Sequence, residues 1–402
     1  MGKGCMFFYQ QIIQDHLAGG LNEHVCDVTL SQSESQTKGN GRLELSEGIL
    51  RFELIVEGKL PDRPLGPCYA EDMAKVRGYF PNGIAFSSDA VTNRGWNKSD
   101  VGYVVYKLHP SHVKMTRQLN VQPNHAKKIL ALEGFLKAVP MANIFRESSH
   151  ITDDNPFFGT ESSSADWFLY ENERIKVAIR NLKNETWHVR VLPKDAEHYE
   201  AEALKKDCDR FVYALGVLCG QHLRMDARYV EHRNTADAEL RTHHRRLGAV
   251  TSLVPPDRDS ILLKLAADYV LDLPEDHLVF SCLDALWNSQ ANFWPLNYLL
   301  LASATEGLAK TYKPGKMSAK KRFAELARNL DIEISDKEFA SWKRLRDALA
   351  HGSYGEIGDI REVAVHSDRI INIFNKILLR TIGYTGKYID YSNGKPAIGE
   401  MR

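Results

Sequence analysis

The sequence predicts an α+β protein: a β-rich N-terminal domain followed by an all-α helical bundle. Two changes of pattern carry that expectation. From about Cys26 to Leu192 apolar residues alternate in short runs between turn residues, as half-buried strands require. From Tyr199 they recur every three or four residues, the period of a helix with one buried face. Length adds a third observation. A chain of 402 residues, 43% of them hydrophobic, exceeds the roughly 250 to 300 residues at which single cores stop growing. Residues 1–250 and 257–395 are therefore expected as separate domains, divided near Pro255-Pro256, which stops any helix from running through.

In chain order, "GRLELSEGILRFELIVEGK" gives two strands around Glu47-Gly48, with Ile49, Phe52, Leu54 and Val56 pointing inward. "DVGYVVYKL", "ADWFLY", "RIKVAIR" and "TWHVRVL" are further strands, the last three joined at Glu171-Asn172 and Lys183-Asn184. The polar stretch from Ser148 to Asp166 reads as a long loop. A helix with Leu204, Cys208, Phe211, Leu215 and Leu218 on one face closes this half. Met225 to Ser260, of mixed charge and weak periodicity, reads as a connecting segment. Its His232, His243, His244, Arg245 and Arg246 are either solvated or a phosphate or metal contact, but they show no ligand spacing.

The second half is helical. Ile261, Leu262, Leu265 and Tyr269 make one apolar face, and a long helical segment is interrupted at Pro295. Another helix covers Ala319 to Leu330. The next starts at Ser335, whose hydroxyl caps it while Glu338, three residues on, completes a capping box. Phe339, Trp342, Leu345 and Leu349 form its core face, and Gly352 ends it. The last, Ile360 to Ile382, buries Val363, Ile370, Phe374 and Ile377.

Composition excludes several functions. Lys plus Arg and Asp plus Glu both count 52, so no global field draws nucleic acid; any such partner meets a local patch. The six cysteines form no CxxC or zinc spacing, as expected of reduced thiols in a cytoplasmic protein. No signal peptide and no run of 18 apolar residues is present, so no membrane partner is expected. Met6 stands where a myristoylation signal has Ser or Thr. No Walker loop, HExxH, GxSxG or dinucleotide fingerprint points to a cofactor.

One stretch carries chemistry: "KRLRDALAHGSYGE", Lys343 to Glu356. Asp347 and His351, four residues apart, share a helix flank and are placed to hydrogen-bond. Arg346 and His351 lie about 140° apart on an ideal helix, so a two-fold dimer is what brings such groups to one phosphate. A second pair at this spacing, Arg361 and His366, puts His366 on the stripe of Val363 and Ile370, as a core or interface histidine. Charge is segregated. Lys310 to Arg346 holds 11 Lys or Arg against 5 Asp or Glu, whereas Asp257 to Glu306 holds 2 against 8. Lys313, Lys316, Lys320, Lys321, Arg322, Lys343 and Arg344 form either a track for an RNA backbone or a solvated basic face.

"RDALAH", Arg346 to His351, resembles the arginine, polar residue, three variable residues, histidine motif of HEPN ribonuclease domains, which are dimerising helical bundles. "LLRTIGYTGKYIDY", Leu378 to Tyr391, is similar to the end of the ApeA-like HEPN group associated with abortive infection against phage. The resemblance covers about residues 257 to 395. It implies a homodimeric, metal-independent endoribonuclease with His351 as acid or base, Arg346 as phosphate contact and Asp347 as the polar residue, where asparagine is commoner. Glu306 matches an acidic residue that some members place near the site; a capping or buried glutamate would look the same. The N-terminal half would sense a phage-derived trigger or restrain the nuclease. The alternatives are a catalytically silent HEPN-like module that binds RNA or protein, and a purely structural dimerisation domain.

Overall fold

Residues 3–32, 35–57, 73–98, 103–118, 130–137, 167–182, 186–232, 235–242, 252–291, 296–312, 314–351, 359–393 and 395–401 are described by a computed structural model. Contacts group the chain into two units. The first holds Met1–Ala138, Glu147–Lys206 and Arg224–Arg245; the second consists mainly of Asp207–Leu223 and Arg246–Arg402. A large sheet fills the first and helices dominate the second, so the chain is α+β. The predicted loop Ser148 to Asp166 lies outside the described residues, as do His243, His244, Arg245 and Arg246.

Six antiparallel strands of the first unit close into a barrel. They are β1 (Asn22–Gln32), β2 (Ser35–Ser46), β3 (Ile49–Glu57), β4 (Ala74–Tyr79), β5 (Ala85–Lys98) and β6 (Tyr103–Pro110). Neighbours run β4-β1-β2-β3-β6-β5, and β4 also pairs with β5, which removes the edges an open sheet would expose. Leu50, Phe52, Leu54 and Val56 face the core, but Ile49 is exposed, contrary to the sequence expectation. The reason is the period of two: residue 49 cannot share a face with residue 52. Gly41 lies against the Phe52 ring where any Cβ would collide.

From β5 the sheet continues outward through β7 (His112–Gln118), β13 (Thr235–Arg241), β12 (Ala227–His232), β8 (Ala131–Lys137), β11 (Thr186–Pro193), β10 (Ile175–Leu182) and β9 (Trp167–Glu171). The sequence reading of residues 227–241 as connector is therefore corrected: they are a hairpin inside the sheet, paired to β7 on one side and β8 on the other. Helix α1 (Lys3–Ala18) packs here, with the Tyr9 hydroxyl donating to the Ala236 carbonyl at 3.0 Å.

β8 and β11 enclose a charged cluster. His188 Nε2 lies 2.6 Å from Glu133 Oε2, Arg190 Nε lies 3.2 Å from Glu133 Oε1, and the imidazole stacks on Phe135 at 5.1 Å. Burial pushes the His188 pKa down, more than its hydrogen bond to Glu133 raises it. A histidine with a lowered folded-state pKa stabilises fully above its unfolded value, about 6.5, and loses that contribution as pH falls below it. His188→Gln is therefore expected to shrink the loss of stability between pH 7.5 and 5.5, read by urea unfolding. An equal loss in both proteins would refute this.

The second unit contains α3 (Asp259–Asp272), α4 (Leu278–Ala291), α5 (Leu296–Tyr312), α6 (Ala319–Leu330), α7 (Asp336–His351) and α8 (Ile360–Thr381). The predicted closing helix of the β-rich half, α2 (Ala201–Cys219), is shared: Ala201 to Lys206 group with the first unit and the rest with the second. In α3 the buried apolar residues are Leu262, Leu263, Ala266, Ala267, Val270 and Leu271, while Ile261 is exposed. The apolar face is rotated by one residue from the expected one because two alanines, Ala266 and Ala267, lie on its inner stripe. A hairpin not foreseen in the sequence follows the helices, β14 (Gly386–Asp390) with β15 (Ala397–Met401). It is tied to residues 252–253 by Ile389 N–H to Leu253 O at 2.9 Å and Tyr391 Oη–H to Ser252 O at 2.9 Å. Among the described residues no helix is long and apolar enough to cross a membrane.

Candidate functional site

Helix α7 carries the candidate residues, and its start is fixed by local chemistry. The Ser335 N–H donates to Glu338 Oε2 at 2.8 Å, and the Glu338 N–H donates to Ser335 Oγ at 3.3 Å. This is the capping box read from the sequence. Glu338 is also buried, and its Oε1 accepts from Asn372 Nδ2 at 2.7 Å and Lys376 Nζ at 2.9 Å on α8. One carboxylate thus caps α7 and fastens it to α8.

Further along, Trp342 is buried and donates its indole N–H to the Ala302 carbonyl of α5 at 3.2 Å. It packs against Phe323 and Phe339 at 5.1 and 5.6 Å. One turn on, the Arg346 guanidinium lies over the Trp342 ring at 5.5 Å, a cation–π contact that spreads the cation along the helix surface. Arg346 Nε is 3.5 Å from Glu306 Oε2 on α5, and Nη1 is 3.1 Å from Asp347 Oδ1. The side chain is 47% exposed. The fork is held on two sides and open on a third.

Glu306 is the hub of this arrangement. Besides Arg346 it meets Lys310 Nζ at 3.0 Å and Arg322 Nη1 at 3.9 Å. Three cations around one carboxylate leave the cluster net positive, as a phosphate site needs. The expected Asp347–His351 hydrogen bond is not formed. Asp347 turns to the adjacent guanidinium, while His351, the last residue of α7, is exposed with no hydrogen-bond partner among the described residues.

The basic track is placed unevenly. Lys316, Lys320, Lys321, Lys343 and Arg344 are exposed; Lys313 lies outside the described residues. Arg322 is instead buried beside Phe323 and Leu326, donating from Nη2 to the Gly315 carbonyl at 2.8 Å. It braces the loop before α6 and lies 3.9 Å from Glu306, so it is not part of the exposed basic face the sequence suggested. Trp342 was missed as a site residue, although its spacing of four from Arg346 is visible in the sequence. His366 behaves as expected: half-buried, 2.9 Å from Ser341 Oγ, with its pKa lowered by burial and by Arg344 and Arg369.

A cavity of about 740 Å³ in the same unit is lined by Asp331, Glu333, Glu338, Asp390 and Glu400 around Lys376. That excess of carboxylates repels phosphate, so the polar surface around Arg346 is the better nucleic-acid candidate. No protein-family model, curated protein or solved structure matches this chain.

Proposed function

We propose that the helical unit is a HEPN-type, metal-independent endoribonuclease that works as a cytoplasmic homodimer in abortive-infection phage defence. The observation that supports it best is Arg346, seated between Glu306, Asp347 and Trp342 and followed one and a half turns later by the exposed His351. RNA brings its own nucleophile, the 2′-hydroxyl. The site has only to move protons, for which imidazole is suited near neutral pH, and to stabilise charge growing on the phosphate, for which guanidinium is suited. The products are a 2′,3′-cyclic phosphate and a 5′-hydroxyl. A dimer supplies two motifs, one histidine taking the proton from the 2′-hydroxyl and the other donating to the leaving oxygen. The β-rich half restrains the nuclease until a phage-derived trigger is met.

The test is incubation of the full chain with total bacterial RNA in EDTA, with and without extract from phage-infected cells, and analysis of fragment ends. Cyclic phosphate ends that vanish in Arg346→Ala are expected. Cleavage that requires Mg²⁺, or that survives Arg346→Ala unchanged, overturns the mechanism. RNA that is retained but never cut under either condition would favour the silent binding module.

A further inference from the structure

A second polar surface lies on the outer wall of the barrel, in the first unit. Pairing registers align its residues in rows. Across β2, β1, β4, β5 and β7, Lys38 faces Thr29, Thr29 faces Arg77, Arg77 faces Ser87, and Ser87 faces Lys114. In the next row Gln36 faces Ser31 and Ser31 faces Lys75. Thr29, Ser31, Gln36, Lys75, Arg77 and Ser87 line a groove of about 500 Å³, with Lys38 and Lys114 at the two ends of the first row, outside its lining. The alternating partners Val28, Leu30 and Val76 are buried in the barrel core, so the rows point outward.

Three features of this groove are unlike an ordinary solvated sheet face. Lys75 and Arg77, which line it, and Lys38 at the end of the row are exposed, and none has an ion pair or side-chain hydrogen bond among the described residues. Elsewhere in this unit Lys194 pairs with Glu171 at 2.8 Å and Lys205 with Glu202 at 2.6 Å. Second, the hydroxyls of Thr29, Ser31 and Ser87 lie between the cations, as donors that a phosphate oxygen accepts from. Third, Tyr79 lines the same groove two residues beyond Arg77 on the same face and is 52% exposed, a large ring presented to solvent.

Cations in rows, hydroxyls between them and an exposed ring alongside are the parts of a single-strand nucleic-acid surface, in which phosphates follow the charges and a base stacks on the aromatic. Adjacent strands are about 4.8 Å apart, so Lys38 and Lys114 each stand roughly 10 Å from Arg77, within reach of phosphates along one strand through their long side chains. A duplex fits less well, since its bases are already stacked and offer Tyr79 no face. We propose that this groove binds single-stranded nucleic acid through Lys75, Arg77 and Tyr79. The site is separate from the cluster around Arg346 and does not depend on its chemistry.

One lining residue opposes an anion. Asp27 sits at the end of the groove in a left-handed conformation, φ 52°, with its N–H donating to Asn40 Oδ1 at 3.3 Å. Asparagine tolerates that conformation, so Asp27→Asn removes the charge and keeps the backbone.

The experiment uses the full chain and a fluorescein-labelled 12-nucleotide single-stranded thymidine DNA, which has no 2′-hydroxyl and is not cut. Anisotropy is titrated at several salt concentrations. Lys75→Gln/Arg77→Gln is expected to weaken binding and to lower the slope of log K against log salt by about 1.4, two contacts at roughly 0.7 each. Tyr79→Ala is expected to weaken binding roughly 5- to 100-fold at an unchanged slope, the signature of lost stacking. Asp27→Asn is expected to tighten it. Circular dichroism melts identify any variant that fails to fold, and a 5-iodouracil version of the strand, crosslinked to the unaltered protein, reads the site without mutation. Crosslinks confined to peptides outside β1, β4 and β5, or equal affinities in the folded variants, would overturn the proposal.

Discussion

Glu338→Ala is expected to be the most damaging single substitution in the helical unit. The carboxylate is 1% exposed and serves four donors: the Ser335 N–H and hydroxyl at 2.8 Å each, Asn372 at 2.7 Å and Lys376 at 2.9 Å. Truncation strips the cap from α7 and leaves an ammonium that is itself only 8% exposed without its counter-charge. Removing one partner of a buried ion pair costs about 3–5 kcal/mol, because the other charge stays desolvated. The helix cap adds about 1 kcal/mol. Typical domains have only about 5–15 kcal/mol in total, so the unit would lose on the order of 10 °C in midpoint. The double variant Glu338→Ala/Lys376→Met should recover part of the loss, since it removes the orphan charge; Glu338→Gln should keep the cap but lose the Lys376 ion pair and the Asn372 bond, because its one amide oxygen serves only the Ser335 side. Hydrogen exchange of α7 and α8 amides checks all three. A Glu338→Ala protein with unchanged protection would show that the pair contributes nothing net.

This carboxylate also illustrates what was legible in the sequence. Ser335 and Glu338 at a spacing of three predicted the cap, and α6 has the predicted bounds, because local pattern determines both. The second role of Glu338, toward Asn372 and Lys376, depends on how α8 packs and leaves no local trace. Barrel closure is similar: the β4–β5 pairing is a register between strands whose alternation says only that each has one buried face. The β12–β13 hairpin was hidden for another reason. Three of the five residues on its core face, Ala227, Ala236 and Ala238, have small side chains that barely raise the hydrophobic signal, leaving only Tyr229 and Leu240 to carry it. At the candidate site, Arg346 and His351 were visible as a motif, but competition for Asp347 was not. The guanidinium one residue away takes it, and of the three consecutive basic residues Lys320 to Arg322 it is Arg322 that falls on the buried face, with Leu326 four residues on.

His351→Ala is expected to reduce RNA cleavage by about 10²- to 10⁴-fold, the usual contribution of a positioned acid or base. Affinity for RNA should change little. The imidazole is exposed and bonded to nothing among the described residues, so its loss leaves no buried group unpaired and should not lower the unfolding midpoint. Arg346→Lys provides the contrast. Lysine keeps the charge but not the planar fork that Glu306, Asp347 and Trp342 hold in place, so turnover should fall while stability is kept. Single-turnover cleavage and filter binding on the same preparations separate the two effects. If His351→Ala cleaved at the original rate, the proton transfers would belong to another group and the ribonuclease assignment of this motif would fail. If it shifted the monomer–dimer balance in sedimentation instead, with no cleavage by either protein, the motif would be a structural contact between protomers. Loss of cleavage with binding, folding and dimerisation intact is the outcome that only a catalytic histidine explains.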